Sequence, residues 1–160
     1  MNTKASSKAQ NWLQVVTFGL GDENFAVEIT KIKEIIMLES VTKIPQVPSY
    51  IEGVINLRGL VVPVIDLRKR FGLASHSIGP DARIMISRLE DRCVGMIVDS
   101  VSKVLKIPKT DILEQAESIT SMAKDYLLGM AKGEKGILLI VDLEKVLTAP
   151  EKADLAQTRF

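Results

Sequence analysis

The sequence predicts an all-β protein, mainly strands with a few short helices, built as two small barrels packed together. Short runs rich in Val and Ile alternate with turns that contain Gly, Asn or Asp, which is typical of small β-domains. The 160 residues suffice for one domain, or for two small subdomains that share a core. The two halves of the chain also match each other, which indicates an internal duplication of a unit of about five strands.

The duplication appears as two alignments at constant spacing. Residues 50–71 align with 126–147 at an offset of 76, and residues 15–35 align with 84–104 at an offset of 69. Positions that recur in both copies are expected to be architectural, because the fold needs them twice. With the glycine of the first hairpin, we expect these residues to form turns and helix caps: Gly53, Gly59, Asp66, Gly129 and Asp142.

The strands follow in order from short apolar runs bounded by turn residues. The first copy is expected to contain strands at 12–20, 25–29, 33–38, 54–55 and 60–65, with a helical turn at 67–71. Residues 31–38 also satisfy a helical pattern, but stiff Ile side chains favour a strand. The second copy is expected to contain strands at 83–86, 94–98, 101–107 and 137–141, a hairpin at 129–136, a loop at 109–123, and a short helix after Asp142.

The stretch from Gly53 to Gly72 has the strongest local signals. Asn and Gly at 56–59 predict a tight hairpin turn, because both residues tolerate positive φ. Pro63 cannot donate a backbone hydrogen bond, which predicts an edge strand or a barrel rim. Asp66 is a plausible N-cap for a single helical turn that Gly72 ends.

One pair of charges changes sign between the two copies. The alignments set Glu34 against Lys103 and Arg58 against Glu134, so both charges reverse together. The simplest explanation is that positions 34 and 58 are neighbours, as are 103 and 134. We therefore predict a Glu34–Arg58 ion pair, either as a structural contact alone or as one that a partner also uses.

Charge and cysteine content exclude several classes of protein. The chain has 21 Lys+Arg and 20 Asp+Glu, so a net charge of +1 gives no electrostatic footprint for nucleic acid or an acidic membrane. A single cysteine, Cys93, cannot form an intrachain disulfide, which favours a reducing cytoplasm. Polar residues follow Lys4, and the longest apolar run, 137–141, is too short for a membrane span. We expect a cytoplasmic protein with no direct membrane insertion.

The sequence offers no group of residues suited to catalysis or to metal binding. His76 lies alone in a polar linker, and Cys93 is expected to be a small core residue with no base beside it. No glycine motif for nucleotide phosphates occurs. We interpret four methionines as core residues: Met85, Met96, Met122 and Met130. The expectation is no catalytic residue, no metal and no cofactor.

The two most specific motifs are G-V-I-N-L-R-G at 53–59 and V-P-V-I-D-L-R at 62–68. With further matches at 18–23, 26–29, 33–35, 41–45 and 95–101, the chain resembles the CheW family of chemotaxis coupling proteins. The resemblance extends over about residues 12–148. We therefore expect a tail at 1–11, a CheW-like domain at 12–148, and a tail or frayed helix at 149–160. Its subdomains would lie at about 12–73 and 82–148, joined by the linker 74–81, with terminal strands able to exchange.

The resemblance implies a pair of five-stranded SH3-like barrels and an adaptor without enzyme activity. Family members couple a transmembrane chemoreceptor of the methyl-accepting type to a histidine autokinase. They bind the receptor's cytoplasmic hairpin tip in a groove between the barrels, and they also bind the kinase's regulatory domain. Carried over by motif, this groove would include Ile32, Glu34, Asn56 and Arg58. The protein would be recruited from the cytoplasm to membrane receptor arrays.

Two other functions are compatible with parts of this pattern. The same kind of receptor–kinase adaptor could serve a signalling pathway other than chemotaxis. A small β-barrel could instead bind oligonucleotides, but that function needs aromatic platforms and basic grooves. Aromatic residues make up only 4% of this chain and its charge is nearly balanced, so the oligonucleotide function ranks far below the adaptor.

Overall fold

The computed structural model describes residues 11–73, 78–113, 126–134 and 136–146, and every structural statement below refers to these residues. Ten strands in this part of the chain form two five-stranded sheets, which confirms the predicted all-β class. Several sequence predictions lie wholly or partly outside the described residues: residues 1–10 of the tail, residues 74–77 of the linker with His76, residues 114–123 of the predicted loop with Met122, and everything from residue 147 onward.

The strands are short, and three turns of 3-10 helix and one short α-helix connect them. The strands are β1 (Trp12–Leu20), β2 (Glu23–Glu28), β3 (Ile32–Met37), β4 (Ile51–Leu57), β5 (Leu60–Asp66), β6 (Arg83–Leu89), β7 (Arg92–Val98), β8 (Ser100–Pro108), β9 (Leu127–Gly133) and β10 (Gly136–Val141). Helix α1 is Leu67–Arg70, and the 3-10 turns are Ile29–Lys31, Lys109–Asp111 and Leu143–Lys145.

Each sheet closes into a barrel. The first barrel has the strand order β3-β6-β7-β5-β4, and the second has the order β8-β1-β2-β10-β9. In the first barrel, Thr42 beyond β3 forms a bridge with Val54 in β4. In the second barrel, Leu113 beyond β8 forms the equivalent bridge with Met130 in β9. Each bridge joins the segment that follows one outer strand to the other outer strand, and so closes the sheet at one point.

The two copies exchange their first two strands. Strands β1 and β2 lie in the second barrel beside β8–β10, whereas β6 and β7 lie in the first barrel beside β3–β5. The exchanged strands join their hosts through two parallel ladders, β2 with β10 and β7 with β5, and through two antiparallel ladders, β1 with β8 and β6 with β3. The chain therefore passes between the barrels twice, at Ile29–Lys31 and at Asp99.

Three hydrophobic cores hold the structure together. One fills the first barrel around Val64 and Ile84, and one fills the second around Val15 and Ile140. The third and largest contains buried residues from both barrels. Within it, four aromatic rings form a continuous row with centroid separations of 5.7, 5.5 and 4.4 Å: Phe18, Phe25, Phe71 and Tyr126. Burial of this shared core favours tight packing of the barrels against each other.

The structure repeats the predicted capping residues in both copies. Asp66 accepts a hydrogen bond from the Arg68 N–H at 2.9 Å, and Asp142 accepts one from the Glu144 N–H at 3.0 Å. The Asp66 N–H donates to the Tyr50 carbonyl oxygen at 2.9 Å, and the Asp142 N–H donates to the Tyr126 carbonyl oxygen at 2.8 Å. The two tyrosines directly precede β4 and β9. The internal duplication is thus visible in the hydrogen bonds. The expectation of a turn or cap is wrong for Gly53 and Gly129, which lie inside strands β4 and β9. Gly59 does lie in a turn, between β4 and β5.

Three other local expectations need correction. Strand β5 is not an edge, because it lies between β4 and β7. The parallel ladder with β7 begins at Val64, so the missing N–H of Pro63 falls just before it. The hairpin turn is only Arg58-Gly59, since Asn56 and Leu57 already belong to β4. Cys93 is not fully buried, although it packs against the core of the first barrel.

Candidate functional site

The hairpin between β4 and β5 ends in a two-residue turn with both residues at positive φ. Arg58 has a φ of 52° and Gly59 a φ of 87°, which are the angles of a type I′ turn. Asn56 supports this turn, because its side-chain oxygen accepts a hydrogen bond from the Gly59 N–H at 2.8 Å. The turn therefore projects Arg58 from the end of the first barrel in one defined backbone conformation.

Arg58 forms an ion pair with Glu34 of β3, so the contact predicted from the reversed charges is confirmed. The Arg58 side chain is 67% exposed and the Glu34 side chain 26% exposed. The hydrogen bond from Arg58 lowers the pKa of Glu34 below its ordinary value, and the same bond raises the pKa of Arg58. The pair thus presents a fixed guanidinium to solvent above a partly covered carboxylate.

The second barrel carries the same contact with the charges exchanged. Lys103 of β8 pairs with Glu134 at the tip of the hairpin between β9 and β10. In each barrel, the ion pair therefore joins the hairpin tip to the strand that directly follows a passage of the chain between the barrels. Because both polarities fit one fold, the fold does not dictate which sign the tip presents. The sign at the first tip is therefore not explained by the fold alone.

Apolar side chains lie beside the Arg58 tip. Leu60 directly follows the turn and is 49% exposed, and Val61 pairs with Asn56 and is 41% exposed. Ile32 lies on β3 two residues before Glu34, but it packs against the core between the barrels. The structure thus brings Glu34, Asn56 and Arg58 together and leaves Ile32 at the margin. An exposed apolar surface with a charged rim is suited to binding another protein.

A cavity of about 500 Å³ opens against the second barrel, and Asp81 and Arg83, just before and at the start of β6 in the first barrel, also line it. The sequence did not predict this cavity. It lies beside the Lys103–Glu134 pair, with Phe18 and Leu138 in its apolar wall. At the positions of Leu57 and Leu60 in the first barrel, the second has Gly133 and Gly136, and both glycines line the cavity. The loss of two leucines between aligned copies was a signal in the sequence that could have revealed this cavity.

Arg68 is a second feature that sequence analysis missed. This arginine is only 4% exposed and pairs with Asp66 at 3.1 Å and with Asp99 at 3.4 Å. Asp66 raises the pKa of Arg68 through hydrogen bonds to its guanidinium. Buried arginines are rare unless they are paired. Nothing local in the sequence indicates that Arg68 is buried, because it is the second residue of α1 and two more cations, Lys69 and Arg70, follow it.

In the part of the chain that the structure describes, no three His, Cys, Asp or Glu residues lie together as a metal site would require. The described helices are all too short or too polar to span a membrane. At the Arg58 tip, the described side chains offer an exposed charge beside exposed apolar residues.

The pKa of Glu34 provides a test of the ion pair. Because Arg58 lowers this pKa, the pair is complete above the ordinary glutamate range and is lost as the pH falls through the lowered value. Arg58→Met should therefore raise the Glu34 pKa toward its ordinary value, as measured by carboxyl carbon chemical shifts in an NMR titration. Lys103→Met, which removes the equivalent cation at the other barrel, should leave it unchanged. An unchanged Glu34 pKa in Arg58→Met would contradict the assignment.

Comparisons with known proteins agree with this architecture. The CheW-like domain family matches residues 14–151. The chain is 36% identical to the chemotaxis protein CheW of Klebsiella aerogenes over 140 residues, which covers 88% of this chain and 84% of the relative. It is 35% identical to the chemotaxis protein CheW of Bacillus subtilis, covering 84% and 86%, and 30% identical to the protein FrzA of Myxococcus xanthus, covering 85% and 86%.

A solved structure shows the same fold. The crystal structure of the scaffolding protein TtCheW from Thermoanaerobacter tengcongensis superposes with a TM-score of 0.77 at 36% sequence identity. The match covers 84% of this chain and 91% of that one. From this superposition, from the family match across most of the chain and from the two barrels described above, we conclude that the chain belongs to the CheW-like domain family.

Proposed function

We propose that this protein is a non-enzymatic adaptor that couples transmembrane chemoreceptors to a histidine autokinase in bacterial chemotaxis. Its family membership supports a chemotaxis adaptor, since relatives of at least 30% identity are named chemotaxis protein CheW and a structural neighbour is named a scaffolding protein. The observation that carries the proposal is the Arg58 tip, where an exposed ion pair stands beside exposed apolar residues. Recognition at that tip requires no reaction on this chain.

The receptor partner is proposed to be the cytoplasmic hairpin tip of a methyl-accepting chemoreceptor. Its contact surface on this chain would include Glu34, Asn56 and Arg58, with Ile32 as an apolar contributor at the margin. The side chains of Arg58 and Leu60 are among the more exposed of the first barrel, so a helical partner can reach both. A rigid tip suits this role, because preorganised groups lose little conformational entropy on binding.

The second proposed partner is the regulatory domain of the kinase. An adaptor of this type needs two separate surfaces, and the ends of the barrels distant from the Arg58 tip are available for the second. The protein would reside in the cytoplasm and be recruited to membrane receptor arrays through these two contacts. Its output would be the relative position of receptor and kinase.

A reconstitution experiment tests the proposal. The full chain is mixed with a receptor signalling fragment, with the kinase regulatory domain, and with both together, and complexes are collected by affinity pull-down. We expect binding to each partner separately and a ternary complex with both. Retention of only one partner, or of neither, would contradict the coupling function. Binding to both fragments of a signalling system that does not control motility would instead favour the related adaptor outside chemotaxis.

Substitutions at the tip test the receptor surface. Arg58→Ala and Glu34→Ala should each weaken receptor binding by about tenfold, because the first removes the exposed guanidinium and the second removes the carboxylate that holds it in place. Isothermal titration with the receptor fragment measures the affinity, and circular dichroism verifies the fold. Lys69→Ala is the matched control, since it removes another exposed ion pair of the first barrel, Lys69–Glu52. Parental affinity in both tip variants would show that the receptor binds elsewhere.

A further inference from the structure

The duplication gives the proposed receptor surface of the first barrel a counterpart on the second. At the two offsets, its four positions (Ile32, Glu34, Asn56 and Arg58) correspond to four residues of the second barrel: Val101, Lys103, Lys132 and Glu134. Ile32 and Val101 both pack against the core between the barrels. In both barrels the ion pair joins a hairpin tip to the strand that follows a passage between the barrels. The fold therefore presents the same arrangement of positions twice.

The two surfaces differ most in the charge that they present. The exposed charge of the first is Arg58, with a side chain that is 67% exposed, above Glu34 at 26%. The exposed charge of the second is Glu134, with a side chain that is 71% exposed, above Lys103 at 45%. A carboxylate on a partner would be attracted to the first tip and repelled at the equivalent point of the second. Like charges placed in contact are a common means of rejecting a partner.

Two further differences remove support and apolar contact from the second surface. The Asn56 side chain supports the first turn by accepting a hydrogen bond, whereas Lys132 at the equivalent position has no acceptor atom. Leu60, which is 49% exposed, has Gly136 as its equivalent. No atom lies within 4 Å of the position that a Cβ of Gly136 would take, so no other side chain fills this space. These changes weaken a contact, but only the reversed charge opposes one.

We propose that Lys103 and Glu134 are specificity-determining residues, which exclude the receptor tip from the second barrel. Each chain then holds one receptor tip in one orientation. The inference rests on the proposed function and adds the chemistry of the partner, namely a carboxylate beside apolar side chains, which matches Arg58 beside Leu60. An adaptor with two equal surfaces could bind its receptor in two orientations, and the position of the kinase relative to the receptor would not be fixed.

Exchanging the two charges of the first surface tests whether the receptor recognises their polarity. Glu34→Lys with Arg58→Glu, called the exchanged chain below, keeps an ion pair but gives it the polarity of the second barrel. We expect its affinity for the receptor signalling fragment to fall about thirtyfold in isothermal titration, because repulsion replaces attraction. Glu52→Lys with Lys69→Glu is the matched control, since it reverses another exposed ion pair of the first barrel, and it should keep the parental affinity.

Transferring the first surface to the second barrel tests the exclusion itself. Lys103→Glu, Lys132→Asn and Glu134→Arg are added to the exchanged chain. We expect receptor affinity to return to within about tenfold of the parental value, since only the leucine is still missing. The NMR shifts caused by the receptor fragment should then appear at Ile137 instead of its equivalent, Val61. Adding Lys132→Asn alone is the control, and it should restore no binding because the reversed charges remain.

The outcomes distinguish this inference from the proposed function. A parental chain that binds no receptor fragment would overturn both. If the parental chain binds, parental affinity in the exchanged chain would overturn the inference and leave the proposed function standing, as would the failure of the three added changes to restore binding. If circular dichroism shows that the exchanged chain is unfolded, the three changes are made in the parental chain instead. That chain should bind two receptor fragments, and binding of only one would overturn the inference.

Discussion

Asp66→Ala is expected to reduce the free energy of unfolding by about 3–5 kcal/mol, because it removes the main partner of a buried guanidinium. Arg68 is 4% exposed, and two of its nitrogens donate to Asp66. Without that carboxylate, the guanidinium loses both of these hydrogen bonds, while its 3.4 Å contact with Asp99 remains. The substitution also removes the cap of α1. Urea unfolding followed by circular dichroism measures the loss.

Asp142→Ala is the matched control for that experiment. Asp142 caps the equivalent turn in the second copy through one hydrogen bond to the Glu144 N–H, and no arginine follows it. We expect a loss of about 1 kcal/mol, which is typical of a helix cap alone. Equal losses in the two variants would mean that the Arg68 pairing contributes nothing beyond capping.

Gly53→Ala is expected to reduce the free energy of unfolding by about 3 kcal/mol or more, through steric overlap and backbone strain together. A methyl group at this position would overlap the Thr42 carbonyl oxygen and approach Val41 Cγ1 to 2.9 Å. Thr42 O accepts the Val54 N–H in the bridge that closes the first barrel. The φ of Gly53 is 146°, which L-residues rarely adopt. Urea unfolding gives the loss, and amide exchange at Thr42 and Val54 shows whether the bridge opens.

Gly59→Ala measures the cost of a positive φ without any steric overlap. Gly59 also has a positive φ, 87°, but no atom lies within 4 Å of the position a methyl group would take. Only the left-handed conformation is penalised, so we expect a loss of about 1–2 kcal/mol with the barrel bridge intact. A Gly53→Ala loss no larger than this would show that the overlap with Thr42 relaxes without cost.

Much of the fold could be predicted because its signals are local or repeated. Short Val- and Ile-rich runs between turn residues predicted the strands, and Asp66 and Asp142 predicted two caps that the structure shows. The reversal of two charges between aligned copies predicted the Glu34–Arg58 contact, since residues that change together tend to touch. That inference required only that positions 34 and 58 in the first copy lie as close together as positions 103 and 134 in the second.

The parts that the sequence did not predict depend on neighbours distant along the chain. Pro63 suggested an edge, but β7 pairs with β5 only from Val64, which a single strand cannot reveal. Arg68 has no local sign of burial, because the residue that completes its contacts, Asp99, lies in another element. Gly133 and Gly136 line the cavity, and their significance became visible only when they were compared with Leu57 and Leu60 of the first barrel.

Because the strands are exchanged, the first barrel can close before the second while the chain is being synthesised. Strands β1 and β2 emerge first, yet their barrel is incomplete until β10 has been made, because β2 pairs with β10. The first barrel uses only the uninterrupted segment from β3 to β7, so it can close earlier. The Glu34–Arg58 contact can therefore form on a nascent chain while the two leading strands still await their partners. Such long-range pairing slows folding, and the completion of the second barrel is expected to be the slow step.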